Sequence, residues 1–292
     1  MSRLTRALAA AAALTLGLAL SACGTAAPTT PAGSSSAGTT TTAVTAPLKV
    51  LADVKPHAEL IKEAQRLGLL GDVKIELKEI TGDIDVNQLN QAGDIDANFF
   101  QHVPYLTDWN KQHSGTLVSV AAVHIEPLGL YSRKVNAVAE TPDKAVIAIP
   151  LDATNQGRAL FLLADAGLLK LDVTKDSADI SQVTEKNITE NLKNLTFKKI
   201  DRPQLAATLD DPAIQLSIIN GNYAIEAGLT PSKDAKFLEK AEGNPYVNVL
   251  VTTEKLKDDA RIKKLAQALT SAQIMAYIEA TYKGSVLPAV QG

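Results

Sequence analysis

From Leu48 onward, short apolar runs alternate with helical stretches, and this alternation constrains the fold more than any other feature of the chain. Leu48-Lys49-Val50-Leu51 reads as a strand, and Pro56 to Leu67 as a helix closed by Gly68 and Gly71. Val73 to Ile80 alternates apolar and polar residues, which predicts a second strand. A short helix over Val86 to Ala92, a strand over Ile95 to Phe99, a helix over Tyr105 to His113 and a strand over Leu117 to Val123 follow. The pattern then repeats. Ala145 to Ile149 reads as a buried strand and Arg158 to Ala166 as a helix. Asp179 to Val183 and Thr196 to Ile200 suit small strands, Pro203 to Leu209 a helix, and Leu216 to Asn220 and Tyr246 to Val251 strands. Helices over Ala260 to Leu269 and Ser271 to Thr281 complete the series. Such spacing predicts mostly parallel sheets covered on both faces. With no sequence repeat to suggest a solenoid, two α/β lobes sharing a ligand cleft is the economical architecture.

Ahead of this region lies a segment of different character. Arg3 and Arg6 precede an Ala- and Leu-rich run from Ala7 to Leu20, and Ser21-Ala22 then lead to Cys23, the only cysteine. A basic start, a short apolar stretch and small residues form a secretory signal. The run is shorter than the ~20 residues a spanning helix needs. Small residues before a cysteine resemble a bacterial lipobox, where the thiol receives a diacylglyceryl group and becomes the new N-terminus. A chance cysteine would instead leave a secreted protein with one unpaired thiol. We therefore read residues 1–22 as a signal peptide, Cys23 as the lipidation site, and 23–47 as a Gly, Ser, Thr, Ala and Pro tether too poor in apolar residues to fold. The Thr run from Thr39 to Thr42 permits O-glycosylation without requiring it. The expected location is the extracytoplasmic face of a membrane, held by acyl chains such as palmitate.

Composition narrows the function. Apolar residues make up 46 % of the chain and charged residues 21 %, ordinary for a globular domain. Without Arg3 and Arg6 the chain carries 27 basic against 32 acidic residues, a formal charge of −5, which argues against nucleic acid. No P-loop, G-x-S-x-G, S-x-x-K or G-x-G-x-x-G occurs. The four histidines (His57, His102, His113, His124) are widely separated. No enzyme, cofactor or metal is expected.

Three constellations carry the candidate chemistry. In the first, Phe100, His102 and Tyr105 fall just past the end of a strand, where open α/β sheets bind ligands. An aromatic core cluster is the alternative, and it suits Phe99, which alternation points away from Phe100. In the second, Ile149-Pro150-Leu151-Asp152-Ala153-Thr154-Asn155-Gln156-Gly157-Arg158 runs from a buried strand through a polar loop to a helix start. A helix start favours anions, and Arg158 offers a planar fork for a carboxylate. A surface salt bridge is the competing role. In the third, Asn220-Gly221-Asn222 follows an apolar strand, fit either to grip an amino acid or to make a turn.

These blocks also resemble a known family. Asp96-Ala97-Asn98, Phe100-Gln101-His102, Pro104-Tyr105-Leu106, Asn155-Gln156-Gly157-Arg158-Ala159-Leu160 and Asn220-Gly221-Asn222-Tyr223-Ala224 look like the NlpA family. These are the methionine-binding lipoproteins of ABC uptake systems. His124-Ile125-Glu126-Pro127-Leu128-Gly129-Leu130-Tyr131-Ser132 and Asn244-Pro245-Tyr246-Val247-Asn248 fit it too, so the resemblance spans Leu48 to Pro288.

The resemblance implies a bilobal, type II periplasmic-binding-protein fold, with 48–130 and 246–292 in lobe 1 and 131–245 in lobe 2. Crossovers near Leu128 to Ser132 and Pro245 to Val249 would form the hinge. It also implies that Arg158 clamps a ligand carboxylate, that Asn155, Asn220 and Asn248 hold the carboxylate and amino groups, and that Phe100, His102, Tyr105 and His124 line the side-chain pocket. The implied ligand is methionine, L and also D, delivered by a monomeric receptor to a permease and its ATPase. Two positions depart from the family pattern. Asp83 stands where a pocket tyrosine is usual, and Leu151 where an asparagine is usual. Asp83 would favour a donor-bearing ligand if it faces the pocket, which keeps another amino acid or a methionine-containing dipeptide open. A surface adhesin or structural lipoprotein with a vestigial cleft is the rival from a different class. Arg158→Ala is expected to abolish binding and leave the fold intact.

Overall fold

The computed structural model describes residues 46–80 and 84–289. Cys23, the signal and tether segments and Asp83 lie outside the described residues. The chain begins with β1 (Leu48–Ala52), α1 (Glu59–Arg66), β2 (Ile75–Glu79), α2 (Val86–Ala92), β3 (Ala97–His102), α3 (Val103–His113) and β4 (Leu117–Ile125). Next come β5 (Gly129–Tyr131), β6 (Val146–Pro150), α4 (Ala153–Asp165), the short ribbon β7 (Lys170–Leu171) and β8 (Ile188–Glu190), then β9 (Thr196–Ile200) and β10 (Leu216–Ile219). The rest is α5 (Gly221–Glu226), α6 (Pro231–Asp234), β11 (Phe237–Leu238), β12 (Val247–Thr253), α7 (Ala260–Leu269), α8 (Ala272–Tyr282) and β13 (Leu287–Pro288).

The strands form two main sheets, ordered β13-β4-β12-β3-β1-β2 and β11-β5-β10-β6-β9. Each carries its own core. Leu48, Val50, Phe99 and Leu250 of the first sheet pack against Ile61, Leu265 and Ile274 from its helices. Leu130, Ile147, Ile149 and Ile218 of the second pack against Leu160 and Leu163 of α4. Each such side chain contributes about 1.5–3 kcal/mol on burial, so each sheet supports an α/β lobe of its own. The chain crosses between the sheets twice, over 126–128 and over 239–246.

The sheets are mixed rather than mostly parallel. Parallel pairing joins β1 to β2 and β3, and β6 to β9 and β10. β12 returns from the other lobe and enters antiparallel to both β3 and β4, and β5 likewise pairs antiparallel with β10 and β11. A strand that arrives by a crossing connection, rather than through a packed helix, has no need to run parallel. Two short elements also differ from expectation. Residues 179–183 form a 3₁₀ turn rather than a strand, because the Asp179 carboxylate captures the Ser181 N–H at 3.2 Å. Pro203 to Leu209 forms two 3₁₀ turns rather than one α-helix.

Candidate functional site

Asp53, His102, Asp152, Arg202 and Asn220 each end a strand or follow one by one or two residues, and all of them line one pair of adjoining cavities. A small polar chamber of about 20 Å³ is walled by His102, Glu126, Arg158, Asn220, Asn222 and Asn248, among others. A larger cleft of about 460 Å³ adjoins it, sharing Phe100, Tyr105 and Arg202 and adding Ile80, Val86, Trp109, Leu151, Asp53 and Tyr223.

Arg158 does not stand at a helix start. α4 begins five residues earlier, where Asp152 caps it by accepting the Asn155 N–H at 3.0 Å. The stretch Ala153 to Gly157 holds as helix because the fold buries it. Gly157 fits where any Cβ would lie 2.2 Å from the Ile180 carbonyl oxygen. The Arg158 guanidinium thus projects from the second turn of α4 toward the crossovers. Its Nε donates to Glu239 Oε1 at 3.0 Å, and one Nη donates to Glu239 Oε2 and, at 2.8 Å, to the Glu126 carbonyl. Tyr246 stacks under it, 4.1 Å from ring centroid to guanidinium carbon. Burial pushes Glu239 up, but the charge and bonds of Arg158 outweigh it and hold the carboxyl below its ordinary range. The second Nη makes no bond to a described residue, and Arg158 lines the chamber. One edge of the fork is braced and the other is available.

His102 is fixed by its own helix. Its Nδ1 accepts the Tyr105 N–H at 3.1 Å as the N-cap of α3, so the ring proton sits on Nε2. That proton is donated to Asn155 Oδ1 at 3.2 Å, which also receives Asn220 Nδ2 at 2.9 Å. Burial, reinforced by the charge of Arg158, lowers His102 to about 3, so it is neutral at physiological pH. Asn155 spends its amide N–H on Asp152 at 2.9 Å. Both ends of Asn155 are therefore engaged within the protein. Asn220 Oδ1 is buried with no partner among the described residues. A buried amide network, in which Asn87 and Asn98 both bond Gln101, ties β3 to α2 and holds the strand end that carries Phe100 and His102.

His124 does not line either cavity. It is wholly buried and packs edge-on to His57 and Phe99, at 4.8 and 5.4 Å between centroids. Its Nε2 bonds Glu126 Oε1 at 2.7 Å, and His57 Nε2 lies 3.3 Å from the same oxygen and 3.1 Å from Asn248 Oδ1. Burial lowers His57 to about 4 and His124 to about 3, and raises Glu126. One ligand atom from each of these three residues lies within 4.8 Å of the others. Hydrogen bonds from neutral imidazoles to Glu126 and Asn248 account for that convergence without an ion. His124 thus acts on the chamber only through Glu126.

Sequence reasoning missed Asp53, Glu126, Arg202 and Glu239 as site residues. Arg202 Nε lies 3.3 Å from Asp152 Oδ2, and its guanidinium covers the Tyr105 ring at 4.9 Å. Asp53, 4 % exposed, receives Asn222 Nδ2 at 2.9 Å on Oδ2. Of the expected residues, the structure brings Phe100, His102, Tyr105, Arg158, Asn220 and Asn248 together at the chamber, with Asn155 bonded behind them. Leu151 lies half exposed at the rim of the larger cleft.

The NlpA lipoprotein family model matches residues 48–290. The chain belongs to the NlpA lipoprotein family. Among its NlpA relatives, the methionine-binding lipoprotein MetQ of Bacillus subtilis is 37 % identical over 240 residues, covering 82 % of this chain and 86 % of that protein. A nutrient-binding protein from Burkholderia cenocepacia, solved bound to methionine, superposes with a TM-score of 0.77 at 33 % identity, over 83 % of this chain and 99 % of its own. An ABC transporter periplasmic substrate-binding protein from Coxiella burnetii does so at 0.76 and 32 %, over 83 % and 100 %.

Proposed function

We propose that this protein is the solute receptor of an ABC importer, and that it captures an amino acid, methionine in L or D form, between its lobes. The observation that carries this reading is the pairing, in one buried chamber, of an orphaned acceptor with a braced cation. Asn220 Oδ1 has no partner among the described residues, and the edge of Arg158 that bonds none of them lines the same wall. An unsatisfied buried acceptor costs about 1–3 kcal/mol, a penalty that a ligand ammonium would remove. The α-carboxylate would take the free Nη of Arg158 together with Asn248 Nδ2, and the ammonium would take Asn220 Oδ1 beside Glu126. Phe100 and Tyr105 would face the side chain, where a thioether gains ~0.3–1.5 kcal/mol per aromatic contact.

The segments 126–128 and 239–246 serve as the hinge in this reading. Ligand favours the closed form to the extent that it contacts both lobes at once. Docking of the closed form on a permease powered by an ATPase would complete the cycle, with no bond made or broken. Acyl chains on Cys23 would keep the receptor at the membrane, more than one chain being needed for stable anchoring. No described helix is long and apolar enough to cross a membrane.

Mass spectrometry of ligand carried through native purification, followed by a thermal-shift screen of amino acids, tests the reading. Ligand at 100 times its Kd should add about 2.7 kcal/mol of stability. A protein that carries nothing and shifts with no amino acid or dipeptide would be an adhesin or structural lipoprotein instead.

A further inference from the structure

We propose that Asp53 and Arg202 form a second polar subsite where the two cavities meet, and that the ligand places an amide group there, beyond its amino-acid head group. This rests on the amino-acid receptor reading and, within it, makes methionine a weaker ligand than one that carries an amide. Asp53 follows β1 and lines the larger cleft while being 4 % exposed. Its Oδ2 is engaged by Asn222, whereas Oδ1 has no hydrogen-bond partner among the described residues. Arg202 follows β9, lines both cavities, and has a side chain one-fifth exposed. Asp152 and the Tyr105 ring hold it in place, and neither of its Nη groups donates a hydrogen bond to a described residue. An open carboxyl oxygen and an open donor fork therefore border the path of any side chain leaving the chamber.

The chemistry of the two groups selects their partner. An apolar side chain would strip water from both and return no hydrogen bond to either. A cationic group would face Arg202, and an anionic one would face Asp53 and Asp152. An amide is neutral and carries an N–H for Asp53 and a carbonyl for Arg202. Burial pushes the Asp53 carboxyl up to about 8, and with Oδ2 accepting from Asn222 the proton sits on Oδ1, which then donates its O–H and accepts through its lone pairs, so an amide can meet it in either sense while a full cation gains little. The cleft, at about 460 Å³, lies in the range that encloses whole small molecules, so a ligand longer than one thioether side chain has space.

The amide could come from a side chain or from a peptide bond, and isothermal titration with three probes separates the two. Glutamine supplies the first source, γ-glutamylglycine, whose α-ammonium and α-carboxylate stay on one carbon, the second, and methionine neither. At least one amide-bearing probe should bind tenfold or more tightly than methionine, and which one it is names the source. Arg202→Gln and Asp53→Ala should each reduce that preference fivefold or more. Should Arg202→Gln fail to fold, Arg202→Lys, which keeps the charge and loses the fork, takes its place. Methionine binding as tightly as both amide probes, or a preference that neither variant moves, would overturn this subsite and leave the amino-acid receptor standing. Binding of none of the three would overturn both.

Discussion

Arg158 and Glu239 form a buried, two-pronged ion pair between α4 and the second crossover, with side chains 3 % and 6 % exposed. The pair makes Arg158 a structural residue as well as a candidate clamp. The expectation that Arg158→Ala spares the fold does not survive it, since the substitution strands a carboxylate in the interior.

Removing either partner alone should destabilise the protein by about 3–5 kcal/mol, because the other charge stays buried without compensation. For a folded region of this size that is a fall in Tm of roughly 6–20 °C. Glu239→Ala tests it by calorimetry. The double variant Arg158→Met/Glu239→Met should recover most of the loss while binding no ligand. A double variant as unstable as the single ones would mean that the pair contributes through something other than charge burial.

Asn220→Ala separates binding from stability in the opposite way. It removes an acceptor with no partner among the described residues and one hydrogen bond, Nδ2 to Asn155 Oδ1, so the ligand-free Tm should fall by no more than about 6 °C, the shift of a single lost bond worth about 0.5–1.5 kcal/mol. Affinity for the amino-acid ligand should fall roughly 10- to 150-fold, the worth of a bond to a charged group. Unchanged affinity in titration calorimetry would take Asn220 out of the ammonium site.

Asp53 should make the protein less stable as pH rises. Its folded pKa, about 8, exceeds the unfolded value near 4, so between these the folded state holds a proton that the unfolded chain has released. Stability from this group is complete below pH 4 and is lost as pH climbs toward 8. Asp53→Asn should therefore match the parent at pH 4 and exceed it at pH 8 by at least about 1.4 kcal/mol, the worth of one pKa unit. Equal stability at both pH values, by chemical denaturation, would show Asp53 to be ordinary.

The three buried histidines in and behind the site act with the opposite sign. His57, His102 and His124 titrate at about 4, 3 and 3 in the folded state and near 6.5 when unfolded. Above pH 6.5 both states are neutral there. Below it the unfolded chain takes up protons that the folded chain refuses, so stability falls toward pH 4. Asp53 and Glu126, both raised, offset part of the fall. The slope between pH 6.5 and 5 should be steeper in Asp53→Asn by about 1.4 kcal/mol per pH unit. A flat profile in both proteins would mean that these imidazoles are charged inside the fold.

Much of this was readable in the chain, and the gaps have physical causes. Val86–Ala92 and Ala260–Leu269 form the helices their periodicity predicts, and Phe99 turns to the core while Phe100 faces the cleft, as strand alternation requires. The start of α4 was hidden because Thr154, Asn155 and Gly157 have weak helix propensity, although Asp152, which caps the helix through the Asn155 N–H, was a signal for it. Asp53 and Arg202 belong to no familiar motif. A signal for them did exist, since each follows the end of a strand that runs parallel to its neighbours, where ligands gather in α/β folds. Glu239 had no such signal, because only the tertiary fold brings it to Arg158, 81 residues away.

Arg158 is bonded to Glu126 in one connection between the lobes and to Glu239 at the start of the other. If Arg158 grips the ligand as proposed, grip and fulcrum are a single mechanical part. A variant selected to hold a different molecule would then also open and shut at a different rate, so an engineer retuning the proposed receptor as a sensor would have to choose affinity and response time together.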